Sequence, residues 1–111
     1  MRLHPEQILT FVELVRQGSI GAAAKARHLT QPAVSNQLRQ LQRDLGEDLY
    51  RRQGRGVALT ATGEAFYAHA LRVEQALQAA ASFAEGLRGL ESGRVRVAAS
   101  QTIAGSLLPD R

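Results

Sequence analysis

Residues 18–45 carry the pattern that decides the fold of this chain: G-S-I-G-A-A-A-K-A-R-H-L-T-Q-P-A-V-S-N-Q-L-R-Q-L-Q-R-D-L. The pattern predicts a short helix, a tight turn at 28–29 and a second, longer helix. Ser19 and Thr30 precede the two helices, and each hydroxyl can accept a hydrogen bond from an unpaired N–H of the opening helical turn. Pro32 falls in the first turn of the second helix, where its missing N–H costs nothing. This order is typical of a helix-turn-helix.

The second helix has one apolar side and one polar side. Four apolar residues recur at helical spacing and predict the buried side: Val34, Leu38, Leu41 and Leu45. At about 100° per residue, the opposite side holds a different set: Pro32, Asn36, Arg39 and Arg43, with Ser35 at its margin. Such side chains bind base edges and phosphates. The sequence therefore predicts a helix that enters the major groove of DNA; the alternative is a helical hairpin with a solvated polar face.

The segments on either side of residues 18–45 predict a winged helix. Before them, Pro5 and Glu6 open a helix that Gly18 can end, and its apolar residues provide a wall for the core. After them, residues 48–52 and 57–59 predict two short strands around a Gly-rich turn, a β-hairpin that would form the wing. Three arginines cluster on this hairpin, within reach of a phosphate backbone or minor groove: Arg51, Arg52 and Arg55. A solvated basic hairpin is the alternative.

A third, long helix is predicted from Ala61 to about Leu90, with Thr60 as its N-cap. Apolar side chains alternate steps of four and three along it, which is the spacing of a heptad seam. The seam consists of Phe66, Ala70, Val73, Leu77, Ala80, Ala84 and Leu87. The other elements offer too little surface to cover a helix ~45 Å long. We therefore expect the same helix of a second copy to cover the seam; packing against the chain's own domain is the alternative.

Charge and composition limit the possible functions. Residues 1–60 hold nine Lys and Arg against five Asp and Glu, whereas residues 61–111 hold five of each. The net charge of +4 therefore lies on the segment with the helix-turn-helix and favours a polyanionic partner. The chain has no cysteine and its three histidines are far apart in sequence, so we expect no metal and no other cofactor. Carboxylate pairs, phosphate loops and a Ser/His/Asp order are absent from the sequence, which argues against an enzyme.

The ends of the chain carry two further expectations. The start lacks the features of a signal peptide and no apolar run approaches a membrane span, so we expect no membrane partner and a cytoplasmic location. Residues 94–100 alternate polar and apolar side chains and predict a strand, which cannot stand alone. We therefore expect residues 91–111 to be the truncated start of another domain.

Taken together, these motifs resemble the LysR-type transcriptional regulators of bacteria. The motifs agree in order and spacing over nearly the whole chain, at 18–24, 29–35, 37–46, 49–52 and 59–63. The family implies a winged helix-turn-helix that a long linker helix joins to a periplasmic-binding-protein-like effector domain. It also implies subunits paired through the linker helices, tetramers in full-length members, and binding to imperfect inverted repeats near promoters.

The resemblance assigns roles to individual residues. Bases and adjacent phosphates would be contacted by Thr30, Gln31, Pro32, Ser35 and Asn36, and the DNA backbone by Arg52 and the wing around Arg55. Ser100 and Thr102 match positions that help bind an effector carboxylate, in a pocket most of which lies in the missing domain. The full set of residues that we expect to contact DNA is Ser19, Thr30, Gln31, Pro32, Ser35, Asn36, Arg39, Arg43, Arg51, Arg52 and Arg55.

Two residues depart from the pattern of the family. Gln42 stands where the family usually has Glu, so the ion pair between that carboxylate and the wing residue Arg52 cannot form. Tyr50 replaces the usual Phe; its ring can still pack, but its hydroxyl needs a hydrogen-bond partner or water.

The predicted architecture is mainly α. It has a winged helix-turn-helix over residues 1–59, a dimerising linker helix over 60–90 and the start of an effector-binding domain over 91–111. The predicted function is a dimeric, sequence-specific DNA-binding regulator, whose small-molecule effector binds only in the missing domain. Two alternatives remain open: a winged-helix protein-interaction module without base readout, and a short regulator of another winged-helix family.

Overall fold

The computed structural model describes residues 1–91, which form four helices and a two-stranded hairpin. The elements are α1 (Pro5–Gln17), α2 (Ile20–Arg27), α3 (Gln31–Leu45), β1 (Tyr50–Gln53), β2 (Gly56–Leu59) and α4 (Ala61–Glu91). The prediction of a mainly α winged helix-turn-helix with a long following helix is confirmed. The strand predicted at 94–100 lies outside the described residues, as do Ser100 and Thr102.

Side-chain caps start three of the helices, as the sequence predicts. Ser19 and Thr30 cap α2 and α3, and each hydroxyl accepts from the backbone N–H three residues later, at 3.1 and 3.2 Å. The Thr60 hydroxyl accepts from the Gly63 N–H at 3.0 Å and caps α4 in the same way. His28 forms the turn between α2 and α3 in a left-handed conformation with φ 58°. These local contacts fix where α3 begins and which way it points.

The apolar core lies between α1, α2 and α3 and is closed by the start of α4. Phe11 is fully buried at its centre, and its ring centroid lies 5.9 Å from that of Phe66 and 6.3 Å from that of Tyr67, both on α4. The buried apolar residues are Ile8, Phe11, Val12, Leu14, Ile20, Ala23, Ala24, Val34, Leu38, Leu41, Leu49 and Ala70. Because α3 buries its apolar stripe here, its polar side faces solvent.

One part of the heptad seam of α4 packs against the core, and the other part is exposed. The chain divides into two units after Gln75: the first is Met1–Gln75, and the second, of which the structure describes residues 76–91, begins at Ala76. In the first unit Ala70 is fully buried, and Phe66 and Val73 pack against the core. This corrects the expectation that the chain's own domain leaves the whole seam uncovered: three packed helices leave one side of the core open, and α4 closes it. The remaining seam positions belong to the second unit and are exposed: Leu77, Ala80, Ala84 and Leu87.

An ion-pair cluster joins the end of α1 to α4. The Arg16 guanidinium binds the Glu74 carboxylate through two hydrogen bonds, at 2.8 and 3.2 Å, and also lies 2.9 Å from a Glu13 carboxylate oxygen. The hydrogen bond from Arg16 lowers the pKa of Glu74, and the same contact raises the pKa of Arg16. The cluster therefore adds a polar contact to the apolar packing that holds α4 on the helix-turn-helix.

Candidate nucleic-acid interface

The solvent side of α3 presents most of the residues that the sequence predicts to contact DNA. The exposed ones are Thr30, Gln31, Pro32, Asn36, Arg39 and Arg43. Ser35 is partly buried at the margin of this side, and Ser19 is partly buried at the start of α2, where it serves as the cap. The interface is thus built on a helix whose opposite side is locked in the core, which is a rigid support for a binding surface.

Hydrogen bonds along α3 position its two exposed arginines. Arg39 donates to the Asn36 side-chain oxygen at 3.2 Å, and Arg43 donates to the Gln40 side-chain oxygen at 3.3 Å. Gln40 in turn donates to the Asp44 carboxylate at 3.0 Å. A guanidinium has five N–H groups, so each arginine keeps donors for a ligand while its orientation is restrained.

The wing is a hairpin in which β1 and β2 pair antiparallel, with Arg52 opposite Val57. All three predicted wing arginines are exposed. The hairpin is anchored on α1, because the Val57 N–H donates to the carbonyl oxygen of Gly18 at 3.2 Å. Gly18 ends α1 in a left-handed conformation, with φ 88°, that favours glycine. The wing therefore has a fixed base and a solvent-exposed, basic tip.

The peptide of Leu49 connects α3, the wing and α4, and sequence reasoning missed this contact. Gln42 accepts from the Leu49 N–H at 2.7 Å, and the Thr60 N–H donates to the Leu49 carbonyl at 3.0 Å. The first turn of α4 packs so closely that a Cβ at Gly63 would overlap the same carbonyl. The sequence signal for this contact is a glycine in the first turn of a long helix, where the low helix propensity of glycine disfavours it. The strand β1 begins at Tyr50 rather than at Asp48, because residue 49 is used in this junction.

The arginines of α3 and the wing have no acidic partner in the described part of the chain. The ion pairs within residues 1–91 involve Arg16 and Arg27, on α1 and α2. None involves the five exposed arginines of the interface: Arg39, Arg43, Arg51, Arg52 and Arg55. Unpaired surface cations concentrated on one helix face and its neighbouring hairpin form the electrostatic footprint of a polyanion-binding surface.

Tyr50 is the first residue of β1, at the start of the wing. Its ring is partly buried and packs against the core, which confirms that a tyrosine can take this position. Burial raises the pKa of the Tyr50 hydroxyl and the Asp48 carboxylate acts in the same direction, whereas the positive charges of Arg52 and Arg39 act in the opposite direction. The hydroxyl therefore stays protonated at neutral pH.

Residues 1–91 contain neither a candidate metal site nor a helix suited to span a membrane. No three His, Cys, Asp or Glu side chains of this range are grouped so that they could hold a metal ion. Within the same range, no helix combines the length and the apolar character that a membrane crossing needs.

A core-anchored recognition helix beside a basic wing defines the class of this protein: it is a winged helix-turn-helix. Residues 5–64 match the model of the bacterial regulatory helix-turn-helix proteins of the LysR family. The chain belongs to this family.

Similar proteins agree with this assignment. The chain is 38% identical over 108 residues to the uncharacterized HTH-type transcriptional regulator YdcI of Escherichia coli (strain K12), and the match covers 97% of this chain and 35% of that protein. It is 34% identical over 103 residues to the RuBisCO operon transcriptional regulator of Allochromatium vinosum, which covers 93% of this chain and 34% of the relative. The chain thus spans about a third of the length of these two curated relatives. Both relatives are named as transcriptional regulators and not as enzymes.

Solved structures of related proteins include complexes with DNA. The CbnR_DBD–DNA complex has a TM-score of 0.69 and 31% identity, and the match covers 78% of this chain and 99% of that one. Vibrio fischeri DarR in complex with DNA has a TM-score of 0.71 and 28% identity, over 81% of this chain and 31% of DarR. About four-fifths of this chain therefore shares its fold with proteins that have been solved on DNA.

Proposed function

We propose that this chain binds duplex DNA in a sequence-specific manner through α3 and the wing, as the DNA-binding part of a LysR-type transcriptional regulator. The observation that carries the proposal is the surface of five exposed arginines, none with an acidic partner in residues 1–91, on a helix side that also presents Asn36. Cations without acidic partners are free to replace the counterions of DNA phosphates.

Within this surface, α3 enters the major groove and supplies the base contacts. Asn36 is suited to adenine, because a side-chain amide can donate and accept at the same time. Its oxygen also accepts from Arg39, so the two side chains would approach the groove as a pair. Thr30, Gln31, Pro32 and Ser35, around the first turns of the helix, would face bases and adjacent phosphates, with Ser19 near the backbone. Arg43 continues the surface along α3.

The wing would hold the DNA backbone. Arg51, Arg52 and Arg55 are exposed on a hairpin whose base is anchored to α1 and to α3. Phosphate contacts of this kind position a protein on DNA and add affinity for every sequence. Since Gln42 is neutral and bonds to a backbone N–H, Arg52 is not neutralised from α3 and remains available to a phosphate.

We further propose that two copies pair through residues 76–91 of α4, the part of this helix that lies in the second unit. Its exposed large apolar side chains support the proposal, because such a surface favours association: Leu77, Phe83, Leu87 and Leu90. The small side chains of Ala80 and Ala84 allow close approach between helices. A two-fold dimer would place two recognition helices in successive major grooves, about 34 Å apart. The operator would then be an inverted repeat.

The relatives are about three times as long as this chain, and we propose that the whole protein has a further domain that binds the effector. Ser100 and Thr102 would contribute to that site. We also propose that the whole protein is a tetramer. The cytoplasm, where a bacterial chromosome lies, is the proposed location.

Equilibrium titration of fluorescent duplexes at several salt concentrations tests DNA binding. We expect tight binding at low salt and a linear fall of the logarithm of the binding constant with the logarithm of salt concentration. A protein-interaction module without base readout would bind no duplex, even at low salt, and that result would overturn the proposal.

A further inference from the structure

The Tyr50 hydroxyl has no assigned role and no protein partner. Within residues 1–91, no hydrogen bond joins this hydroxyl to another group, and its oxygen is not among the buried polar atoms that lack a partner. It therefore reaches solvent, while the ring beneath it packs against the core. A fixed donor that reaches solvent beside a DNA-binding surface is available to a ligand.

The surroundings of the hydroxyl come from both basic elements. Alternation along β1 places Arg52 on the same strand face as Tyr50, two residues further on. The positive charges of Arg52 and of Arg39, which lies on α3, both act on the hydroxyl, and the Asp48 carboxylate acts on it in the opposite direction. Neither guanidinium has an acidic partner in the described chain. The hydroxyl and the two guanidinium groups thus offer hydrogen-bond donors from two elements; Arg39 already donates to the Asn36 side-chain oxygen and keeps further N–H groups for a ligand.

We propose that Tyr50, Arg39 and Arg52 form a binding site for one phosphate of the DNA backbone, with the Tyr50 hydroxyl donating a hydrogen bond to a phosphate oxygen. This inference rests on the proposed DNA-binding function and adds a contact to it. A phosphate matches the site because it carries a negative charge and several acceptor oxygens, and no covalent step is involved. On bound DNA, the site would lie between the major groove that α3 enters and the stretch of backbone that the wing contacts.

The packing of the ring is what makes the contact effective. A hydroxyl on a flexible side chain would lose rotational freedom on binding, whereas the Tyr50 ring is already held by the core. Hydrogen bonds to charged groups are about twice as strong as those between neutral groups. We therefore expect the hydroxyl to raise the affinity for DNA about tenfold, and equally on specific and random sequences, because a phosphate carries no sequence information.

The change Tyr50→Phe tests the site, because it removes only the hydroxyl and leaves the packed ring. We expect about tenfold weaker binding to every duplex, with the salt dependence unchanged because a neutral hydroxyl displaces no counterion. The matched control is Tyr67→Phe, the same change at the only other tyrosine, whose ring packs edge-on against Phe11 in the core. The control should bind DNA as the wild type does, and both variants should keep the wild-type midpoint of urea unfolding.

A set of duplexes with one methylphosphonate at each backbone position in turn identifies the phosphate. At one position in each half-site, the methylphosphonate should weaken the wild type more than it weakens Tyr50→Phe, because the variant has only the two arginine contacts to lose there. Equal binding by wild type and Tyr50→Phe would overturn the phosphate site and leave the proposed function standing. If the wild type bound no duplex at all, the proposed function and the phosphate site would fall together.

Discussion

Gln42 on α3 accepts a hydrogen bond from the backbone N–H of Leu49 at 2.7 Å, and this bond ties the recognition helix to the base of the wing. Leu49 is fully buried, so its N–H has no access to water if the side chain of Gln42 is shortened. An unsatisfied buried donor costs about 1–3 kcal/mol.

We expect Gln42→Ala to lower the free energy of unfolding by this amount, measured by urea denaturation. Gln42→Glu is the matched control, because a carboxylate oxygen can accept the same bond. If Gln42→Ala were as stable as the wild type, the bond would have no structural importance.

Gly63 is expected to tolerate no side chain. A Cβ there would overlap the Leu49 carbonyl, which belongs to the backbone and cannot rotate away. We expect Gly63→Ala to destabilise the fold by about 3 kcal/mol or more, as overpacking of a rigid site does.

The matched control is Gly86→Ala on the same helix, where a Cβ would meet nothing within 4 Å. Since alanine is a better helix former than glycine by about 1 kcal/mol, this control should stabilise the protein or leave it unchanged. Thermal unfolding of the pair measures both effects, and equal midpoints would refute the close approach.

The ion pair between Arg16 and Glu74 should make stability depend on pH. The pKa of Glu74 is lowered in the folded protein, so the pair contributes stability above the ordinary glutamate pKa and loses it as pH falls through the lowered value. Because the Arg16 side chain is 42% exposed, the contribution is small, about 1 kcal/mol or less.

We expect Glu74→Gln to be less stable than the wild type at pH 7 and equal to it in acid, by urea unfolding across pH. Glu85→Gln, at an exposed glutamate of the same helix without an ion pair in residues 1–91, should match the wild type. A deficit for Glu74→Gln that persisted in acid would mean that the side chain acts by packing and not by charge.

Asn36 and Arg52 should affect DNA binding in different ways. If Asn36 contacts a base as proposed, Asn36→Ala should relax the preference for that base at one position of each half-site, by about 1–3 kcal/mol. If Arg52 contacts a phosphate as proposed, Arg52→Ala should weaken binding to all sequences and flatten the salt dependence.

Titrations against the operator and a random duplex separate the two effects. Arg72→Ala removes one charge from an exposed arginine of α4, outside the α3–wing surface, and serves as the control. Equal losses for Asn36→Ala on operator and random DNA would show that it reads no base.

Leu77→Glu should separate a dimer that pairs through residues 76–91 of α4. It places a charge at an exposed seam position, where it would have to be buried in the interface. Gln78→Glu adds the same charge at the next residue, outside the seam, and should keep the dimer. Sedimentation equilibrium measures both masses, and an unchanged mass for Leu77→Glu would exclude the seam as the interface.

The helices and caps could be predicted because their causes are local. The spacing of Val34, Leu38 and Leu41 and the hydroxyls of Ser19 and Thr30 act within one or two helical turns, and the structure confirms each. Contacts between distant residues could not be derived in this way. Whether Ala70 faces a second copy or the chain's own core depends on how the first three helices pack and which side of the core they leave uncovered. The periodicity of the sequence carries no information about that packing.

The candidate site shows the same division. The exposure of Arg39 and Arg43 follows from the helical period, so the polar side of α3 was predictable. The position of the Tyr50 hydroxyl was not, because it depends on how the wing packs beside α3. Gln42 was recognised as a departure from the family, but only the structure shows that it holds the Leu49 N–H.

Selection of bound duplexes from a random DNA pool, at near-physiological salt, tests the central claim most directly. We expect enrichment of an inverted repeat whose half-sites are separated by about one helical turn, ~34 Å, or a multiple of it. A single enriched half-site would contradict pairing through α4. No enrichment, with binding that disappears as salt rises, would contradict sequence-specific recognition by α3.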